Sequence, residues 1–189
     1  MKTIKLLIAA LMTIVVFQTS TAQTVTGLYL TKDDYLNNKL SYVTTGNKGS
    51  SITLHSAFLS PKVTVVTDGK KQSLLKSQLF GYQSEGQDYR FCNNRAYRIV
   101  ENKDLYIYSY NTLIFQGKNM KPTQLYYFSA ALDDVVQPLT IENIENAYAK
   151  NMKFKYMVES QFKTDNELAS YDASAKQFKV KYLYDESMK

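Results

Sequence analysis

Between residues 51 and 129 the sequence is a succession of short β-prone runs separated by brief turns. The β-branched run 63–67 ends at Asp68-Gly69, a strong two-residue hairpin signal. Residues 84–87 and 101–104 predict two more turns, and Gly117 with Pro122 predicts a fourth. No interval is long enough for the crossover helix that parallel strands need. The sequence therefore predicts a mainly antiparallel β meander, either a rolled sheet or a small barrel.

The pattern changes near Pro138, and every glycine lies at or before Gly117. Beyond Pro138 the spacing of Phe154, Val158 and Phe162 is typical of one face of a helix. We therefore expect an α+β fold, with an antiparallel β region at 23–138 and a short helical C-terminal element at 139–189. The helical element is expected to pack on the β region as part of one cooperative domain.

Helix caps are predicted at three threonines, each followed by residues suited to a first turn. Thr31 precedes acids, Thr140 precedes an apolar helical pattern, and Thr164 with Glu167 forms a capping-box sequence. The tail at 176–186 is ambiguous. Its alternation of apolar and basic residues favours a strand, although its composition also permits a helix.

Residues 1–22 have the pattern of a secretory signal. Lys2 and Lys5 precede an apolar run from 6 to 17, and small residues precede an expected cleavage between Ala22 and Gln23. The apolar run is too short for a typical transmembrane helix, which needs about 20 residues. We expect an exported protein, periplasmic or secreted, without a transmembrane anchor.

Cys92 and His55 are the only cysteine and histidine in the chain. One of each is too few for a zinc site or an iron-sulfur cluster, and an intrachain disulfide is impossible. No metal or cofactor is therefore expected. A catalytic Cys92–His55 pair would also need a third partner that the sequence does not mark, so we expect Cys92 to be a small buried residue and His55 to lie on the surface.

Several short segments in this order resemble an uncharacterised family of exported bacterial proteins. The segments are Gly27-Leu28-Tyr29-Leu30-Thr31, Tyr89-Arg90-Phe91, Leu105-Tyr106-Ile107-Tyr108 and Tyr127-Phe128-Ser129, the last preceding Leu139-Thr140. The resemblance covers most of the chain beyond the signal. It implies export and a similar fold, and it implies no activity.

All three arginines of the protein fall within nine residues. If Asn93-Asn94 forms a hairpin turn, Arg90 and Arg98 are expected to approach each other across the strand pair. Arginine forks bind carboxylate, sulfate or phosphate at two points, and neighbouring tyrosines can stack on a sugar ring. The candidate ligand-binding residues are Tyr89, Arg90, Arg95, Tyr97 and Arg98. The alternative is a solvated face whose arginines pair with Asp88 and Glu101.

Three tyrosines, Tyr106, Tyr108 and Tyr110, are expected to share the face of a strand opposite Leu105 and Ile107. Such a face can form a rigid contact surface for sugar or protein. Alternatively, these tyrosines fill an outer layer under the C-terminal helices.

The acid pairs Asp33-Asp34 and Asp133-Asp134 do not match a calcium loop, and adjacent side chains rarely converge on one bond or ion. Residues 139–189 carry balanced charge, so a nucleic-acid partner is not expected. The sequence favours a non-enzymatic binding module for an anionic glycan or another acidic partner, such as an envelope protein. Two alternatives remain open: a hydrolase that uses dispersed carboxylates such as Asp88 and Asp104, and a structural partner in an envelope assembly.

Overall fold

A computed structural model describes residues 25–44, 49–56 and 59–189, so the predicted signal at 1–22 lies outside the described residues. The strands are β1 (Val25–Tyr29), β2 (Ser51–Thr53), β3 (Lys62–Thr67), β4 (Lys70–Leu75), β5 (Gly81–Ser84), β6 (Gln87–Cys92), β7 (Arg95–Lys103), β8 (Leu105–Gln116), β9 (Asn119–Ser129), β10 (Gln137–Pro138), β11 (Tyr171–Asp172) and β12 (Gln177–Phe178). The helices are α1 (Lys32–Leu36), α2 (Ile141–Ala147), α3 (Met152–Gln161), α4 (Asp165–Leu168) and α5 (Lys179–Ser187), and a 3₁₀ turn spans Lys76–Gln78.

Seven of the strands form one sheet in the order β1-β5-β6-β7-β8-β9-β10, with every neighbouring pair antiparallel. Strands β2, β3 and β4 form a separate sheet of three, and β11 pairs with β12. The predicted antiparallel meander is confirmed, and so is the helical segment that follows it. The large sheet is open, with β1 and β10 at its edges, so the small-barrel form of the prediction does not apply.

The turns are tighter than the sequence pattern predicts. Asp68-Gly69 joins β3 to β4 as expected, but only Glu85-Gly86 separates β5 from β6, and Asp104 alone separates β7 from β8. Strand β8 continues without interruption to Gln116, so the third and fourth predicted hairpins share one strand. Pro122 lies within β9 opposite Leu113 instead of in the turn.

The large sheet has two different faces. On the first, here called the core face, Leu28 and Ile107 are fully buried, and the register of β8 and β9 places Phe128 beside Ile107. The second, here called the tyrosine face, carries Tyr97, Tyr108 and Tyr127. The predicted separation of the tyrosines from Leu105 and Ile107 is therefore confirmed.

Two different layers cover the core face. At one end Val63 and Val65 of the small sheet pack against Leu28, Tyr82 and Phe91. At the other end, the helices bury a continuous apolar cluster against β8 and β9, made of Ile107, Phe128, Ile144, Phe154, Val158 and their neighbours. The C-terminal helices therefore lie on the side of the sheet opposite the tyrosines, and their expected position over the tyrosines is wrong.

Two of the three predicted caps are present. Thr31 and Asp34 form a reciprocal capping box at the start of α1, and the Thr140 hydroxyl accepts from the backbone N–H of Asn143 at the start of α2. Thr164 makes no side-chain cap bond at α4. The Glu167 carboxylate accepts from the Lys163 backbone N–H instead, so it still satisfies a free donor beside the helix start.

The tail is a helix, so the strand expected at 176–186 is wrong apart from the two residues of β12. Helical spacing puts Val180 and Tyr184 together on the cluster around Phe154, while Lys181 pairs with Asp185 one turn later. The alternating pattern of the tail fits both periods, and packing on α3 selects the helix. Among the described residues, no helix is long and apolar enough to cross a bilayer.

Candidate functional site

The arginine-rich segment is a hairpin, the arrangement on which the sequence hypothesis depended. Asn93 and Asn94 form its two-residue turn, with φ values of 49° and 64°. Asparagine tolerates this left-handed backbone, and the resulting turn matches the twist of the flanking strands. The register that follows pairs Cys92 with Arg95, Arg90 with Tyr97 and Tyr89 with Arg98.

This register separates Arg90 from Arg98, so their expected approach across the strand pair is wrong. Arg90 shares the tyrosine face with its partner Tyr97, whereas Arg98 shares the opposite face with Tyr89. Residues that face each other in a two-residue hairpin differ by an odd number of positions. Positions 90 and 98 differ by an even number, and their side chains therefore point to opposite sides of the sheet.

Arg90 is buried and holds a loop against the tyrosine face. Its guanidinium donates to the Tyr108 hydroxyl at 2.9 Å, to Ser129 Oγ at 3.2 Å and to the Asp134 carbonyl at 2.6 Å. All three acceptors are neutral. Arg90 is thus satisfied inside the fold, and its contacts give it a structural role.

Tyr97 is buried in the same layer and packs against other aromatic rings. Its ring centroid lies 4.9 Å from that of Tyr127 and 5.6 Å from that of Tyr110. Val136, from the loop that Arg90 holds, completes this cluster. Burial raises the pKa of Tyr97 and outweighs the opposing effect of Arg95. Tyr97 therefore belongs to the packing of the tyrosine face.

The other candidate residues line a cavity of roughly 320 Å³. The cavity lies where the 3₁₀ turn and three residues that follow β2, namely Leu54, Ser56 and Leu59, meet β5–β8. We call it the cationic cavity, because Lys76 and Arg98 line it, Arg95 borders it, and none of the described residues in its lining is Asp or Glu. Tyr89, Phe91, Ser109, Tyr110 and Asn111 contribute further parts of its wall. Its volume is near the lower end of the roughly 300–1,000 Å³ found for ligand pockets, which suits a small anion or a single sugar unit.

Lys76 was not among the residues that the sequence singled out. Its side chain is 3% exposed, and its ammonium donates to the carbonyl of Asn94 at 3.2 Å and to that of His55 at 3.4 Å. The ammonium also lies 5.8 Å from the centre of the Phe91 ring. Burial lowers the pKa of Lys76. Lys76 is one of several lysines near residue 70, and nothing in this sequence context indicates burial. Its burial results from the 3₁₀ turn, which directs it into the cavity.

Arg95 and Arg98 both lie in the first half of β7, but they point to opposite faces of the sheet: Arg98 faces the cavity, whereas Arg95 shares the tyrosine face with Tyr97. The Arg95 guanidinium lies 5.6 Å from the centre of the Tyr110 ring, and a side-chain hydrogen bond with Tyr97 raises the pKa of Arg95. Arg98 is exposed and its Nε donates to Gln87 Oε1 at 2.9 Å. In the part of the chain that the structure describes, no carboxylate forms an ion pair with any of the three arginines.

The expected ion pairs of these arginines with Asp88 and Glu101 are therefore wrong, since both carboxylates have other donors. Asp88 Oδ1 accepts from the Tyr29 hydroxyl at 2.8 Å and from Gln83 at 3.1 Å. Glu101 accepts from the backbone N–H of Phe178 at 3.1 Å, which ties the tail to β7. Neither carboxylate therefore lies among the described residues that line the cavity.

A stacked pair of rings forms the floor of the cavity. The Tyr82 and Tyr89 centroids are 4.6 Å apart and their planes differ by 1°. Tyr82 is buried and also contacts Phe91, and burial is the main cause that raises its pKa. Tyr89 pairs with Arg98 across β6 and β7, so the stacked rings lie beside Arg98 on the same face of the sheet.

The residues considered for hydrolysis are spread out. Extending the register of β6 and β7 by one residue places Asp88 opposite Ile99. Asp104 follows five residues after Ile99, roughly 16 Å along the strand at about 3.3 Å per residue. Paired glycosidase carboxylates lie about 5–9.5 Å apart. This separation does not favour Asp88 and Asp104 as a catalytic pair.

The remaining candidates for chemistry also lie apart. Cys92 packs with the cluster around Tyr97, while His55 is exposed beyond β2 and its Nε2 lies 2.8 Å from Thr64 Oγ1. Asp133 pairs with Lys32 at 2.8 Å. Within 25–44, 49–56 and 59–189, no group of three or more His, Cys, Asp or Glu side chains is placed to hold a metal ion.

The fold defines the class of protein as an α+β domain whose open antiparallel meander is covered on one face by a small sheet and a helical layer. The cationic cavity lies on that covered face. No family model matches the chain, and no match to it is found among curated proteins or solved structures. The resemblance to exported bacterial proteins stays a prediction.

Proposed function

We propose that this protein is an exported, non-enzymatic binding module for an acidic ligand, with an anionic glycan as the leading candidate, and that the ligand binds in the cationic cavity. One observation carries the proposal. Lys76 and Arg98 line a cavity of roughly 320 Å³, and none of the described residues in its lining is a carboxylate. Like charges gathered without a counter-ion repel one another, and a bound anion relieves that repulsion.

Lys76 gives the cavity its strongest physical argument for an anion. Lysine is almost never fully buried without a charged partner, and Lys76 has two carbonyl oxygens and an aromatic ring as neighbours. An anion in the cavity would supply the missing countercharge to a group that is already desolvated. The attraction between an anion and a buried ammonium is stronger than the attraction between two exposed charges, because less water screens it.

Arg98 adds geometry to this charge. Arg95 borders the cavity, but its guanidinium lies over the Tyr110 ring on the tyrosine face and does not point into the cavity. Arg98 is exposed at the rim and exchanges its neutral acceptor Gln87 for an anion without breaking an ion pair. Planar guanidinium forks bind carboxylate and sulfate groups of acidic sugars at two points.

The test is calorimetric titration of the exported, processed chain with heparin oligosaccharides and with oligogalacturonate, using dextran as the neutral control. We expect binding of an acidic oligosaccharide, weakened at least tenfold by Arg98→Gln, because a charge-assisted hydrogen bond contributes about 1.5–3 kcal/mol. Lys163→Gln, which removes an exposed lysine outside the cavity lining, is the matched control and should leave binding unchanged.

Two results would overturn the proposal. One is equal affinity for acidic and neutral oligosaccharides. The other is equal weakening by Arg98→Gln and Lys163→Gln, which would show that binding depends on net charge and not on the cavity.

A further inference from the structure

The β8–β9 hairpin extends well beyond the rest of the large sheet. Strand β7 pairs with β8 only as far as Ser109, and β10 pairs with β9 only at Tyr127 and Phe128. The two strands nevertheless pair with each other without a break to Gln116 and Asn119. Residues 110–124 are thus a two-stranded ribbon whose outer edges have no strand partner in the described chain, and we call them the β-arm.

One face of the β-arm is apolar and exposed. The register places Leu113 opposite Pro122 and Phe115 opposite Met120, so the four side chains lie on the same face. Leu113 is 55% exposed, Phe115 75% and Met120 51%. Single exposed apolar residues are ordinary, but two adjacent cross-strand pairs at the end of a free ribbon form a patch.

The charge of the β-arm is of one sign. Lys118 and Lys121 are its only charged residues, and no acid occurs anywhere from residue 105 to residue 132. Lys118 lies in the turn at the tip, and Lys121 is opposite Ile114 on the other face of the ribbon. The tip therefore combines an apolar face with adjacent positive charge.

A second copy of the chain is a poor occupant for this patch. Four side chains of this size cover roughly 100 Å² each. A stable dimer buries about 800 Å² per partner. Two β-arms placed face to face would also bring Lys118 and Lys121 of both copies together without an acid from either arm.

We propose that the β-arm is a peripheral membrane-binding element for an anionic bilayer surface. Leu113, Phe115 and Met120 enter the boundary between headgroups and acyl chains, and Lys118 and Lys121 contact anionic headgroups. The two apolar pairs span about 7 Å of strand, which fits the roughly 5–10 Å depth of that boundary. Complementary charge holds the arm at the surface while its apolar face is removed from water.

The experiment is co-sedimentation of the exported, processed chain with vesicles of phosphatidylcholine alone or with 30% phosphatidylglycerol. The key variant combines Phe115→Ser with Met120→Ser, and its matched control combines Met152→Ser with Tyr156→Ser, two similarly exposed apolar residues on α3. We expect the β-arm variant to bind anionic vesicles at least tenfold more weakly than the wild type and the α3 variant to bind as the wild type does. Circular dichroism should show the same fold for all three proteins, since the changed side chains are exposed.

A charge variant separates this site from the cationic cavity. Combining Lys118→Glu with Lys121→Glu should abolish the preference for anionic vesicles, whereas Arg98→Gln should leave vesicle binding unchanged. The proposal is overturned if the wild type binds neither vesicle, or if the β-arm variant binds anionic vesicles as the wild type does. It is also overturned if sedimentation equilibrium shows a wild-type dimer that the β-arm variant loses, because the patch would then be an interface between two copies.

Discussion

Arg90 and Arg98 lie eight positions apart in one hairpin and point to opposite faces of the large sheet. Arg90 is buried against Tyr108, while Arg98 is exposed at the rim of the cationic cavity. Two residues of the same type on neighbouring strands therefore have different surroundings, and their replacement should have different consequences.

Arg90→Ala should lower the free energy of unfolding by about 3 kcal/mol, because it removes a buried hydrogen-bond donor and leaves the Asp134 carbonyl without one. Arg98→Ala should change it by less than about 0.5 kcal/mol, as expected for an exposed side chain. Urea unfolding followed by circular dichroism measures both. Equal losses from the two variants would contradict the assignment of the two faces.

Lys76→Met should remove ligand binding without destabilising the fold. Methionine keeps the length of the side chain and removes a buried charge that has no carboxylate partner, so the free energy of unfolding should stay within about 1 kcal/mol of the wild type or rise. Because burial lowers the pKa of Lys76, the wild type gains stability as the pH rises from that lowered value towards the ordinary 10.5. The variant should lack this gain. A variant that keeps acidic-glycan affinity in calorimetry would contradict a ligand-binding role for Lys76.

Tyr35 should contribute to alkaline unfolding. Burial is the main cause that raises its pKa from 10.0 to about 12, and its ring stacks on Phe80 at 4.9 Å. Between these two pH values the unfolded chain loses the Tyr35 proton while the folded chain keeps it, so stability falls as the pH rises through this window. The fall due to Tyr35 should be about 1–2 kcal/mol, allowing for solvent screening.

Tyr35→Phe should reduce the loss of stability between pH 10 and 12 while leaving the curve below pH 9 nearly parallel to that of the wild type. Urea unfolding at a series of pH values measures this directly. An unchanged alkaline slope would show that Tyr35 titrates normally in the folded protein.

Gly81→Ala should strongly destabilise the sheet. A Cβ at Gly81 would lie 1.8 Å from the carbonyl oxygen of Tyr89, a backbone atom that cannot move without disturbing the pairing of β5 and β6. We expect a loss above about 3 kcal/mol or failure to fold. Gly86→Ala is the control: it meets no atom within 4 Å but has φ of +72°, so it should lose about 1–2 kcal/mol. Thermal unfolding should rank the two variants in that order.

Local signals in the sequence predicted two of the hairpin turns and two of the helix caps correctly. Asp68-Gly69 and Asn93-Asn94 have the backbone preferences that their turns require, and Thr31 and Thr140 sit where a first helical turn needs an acceptor. The alternation of Leu105 to Tyr110 likewise placed the tyrosines on one face, because the side-chain period of a strand is two. These features depend on residues that are close in the chain.

The location of the cavity depends on residues that are distant in the chain. The register of β6 and β7 separated Arg90 and Tyr97 from Arg98. The 3₁₀ turn then buried Lys76 against the β6–β7 hairpin, in the same cavity as Arg98. The tail followed the same rule, since its alternation favours a strand, whereas packing on the apolar surface of α3 selects the helix. Local sequence thus determined the turns, caps and strand faces through backbone preference and side-chain period, whereas burial and charge isolation arose only where separate layers packed together.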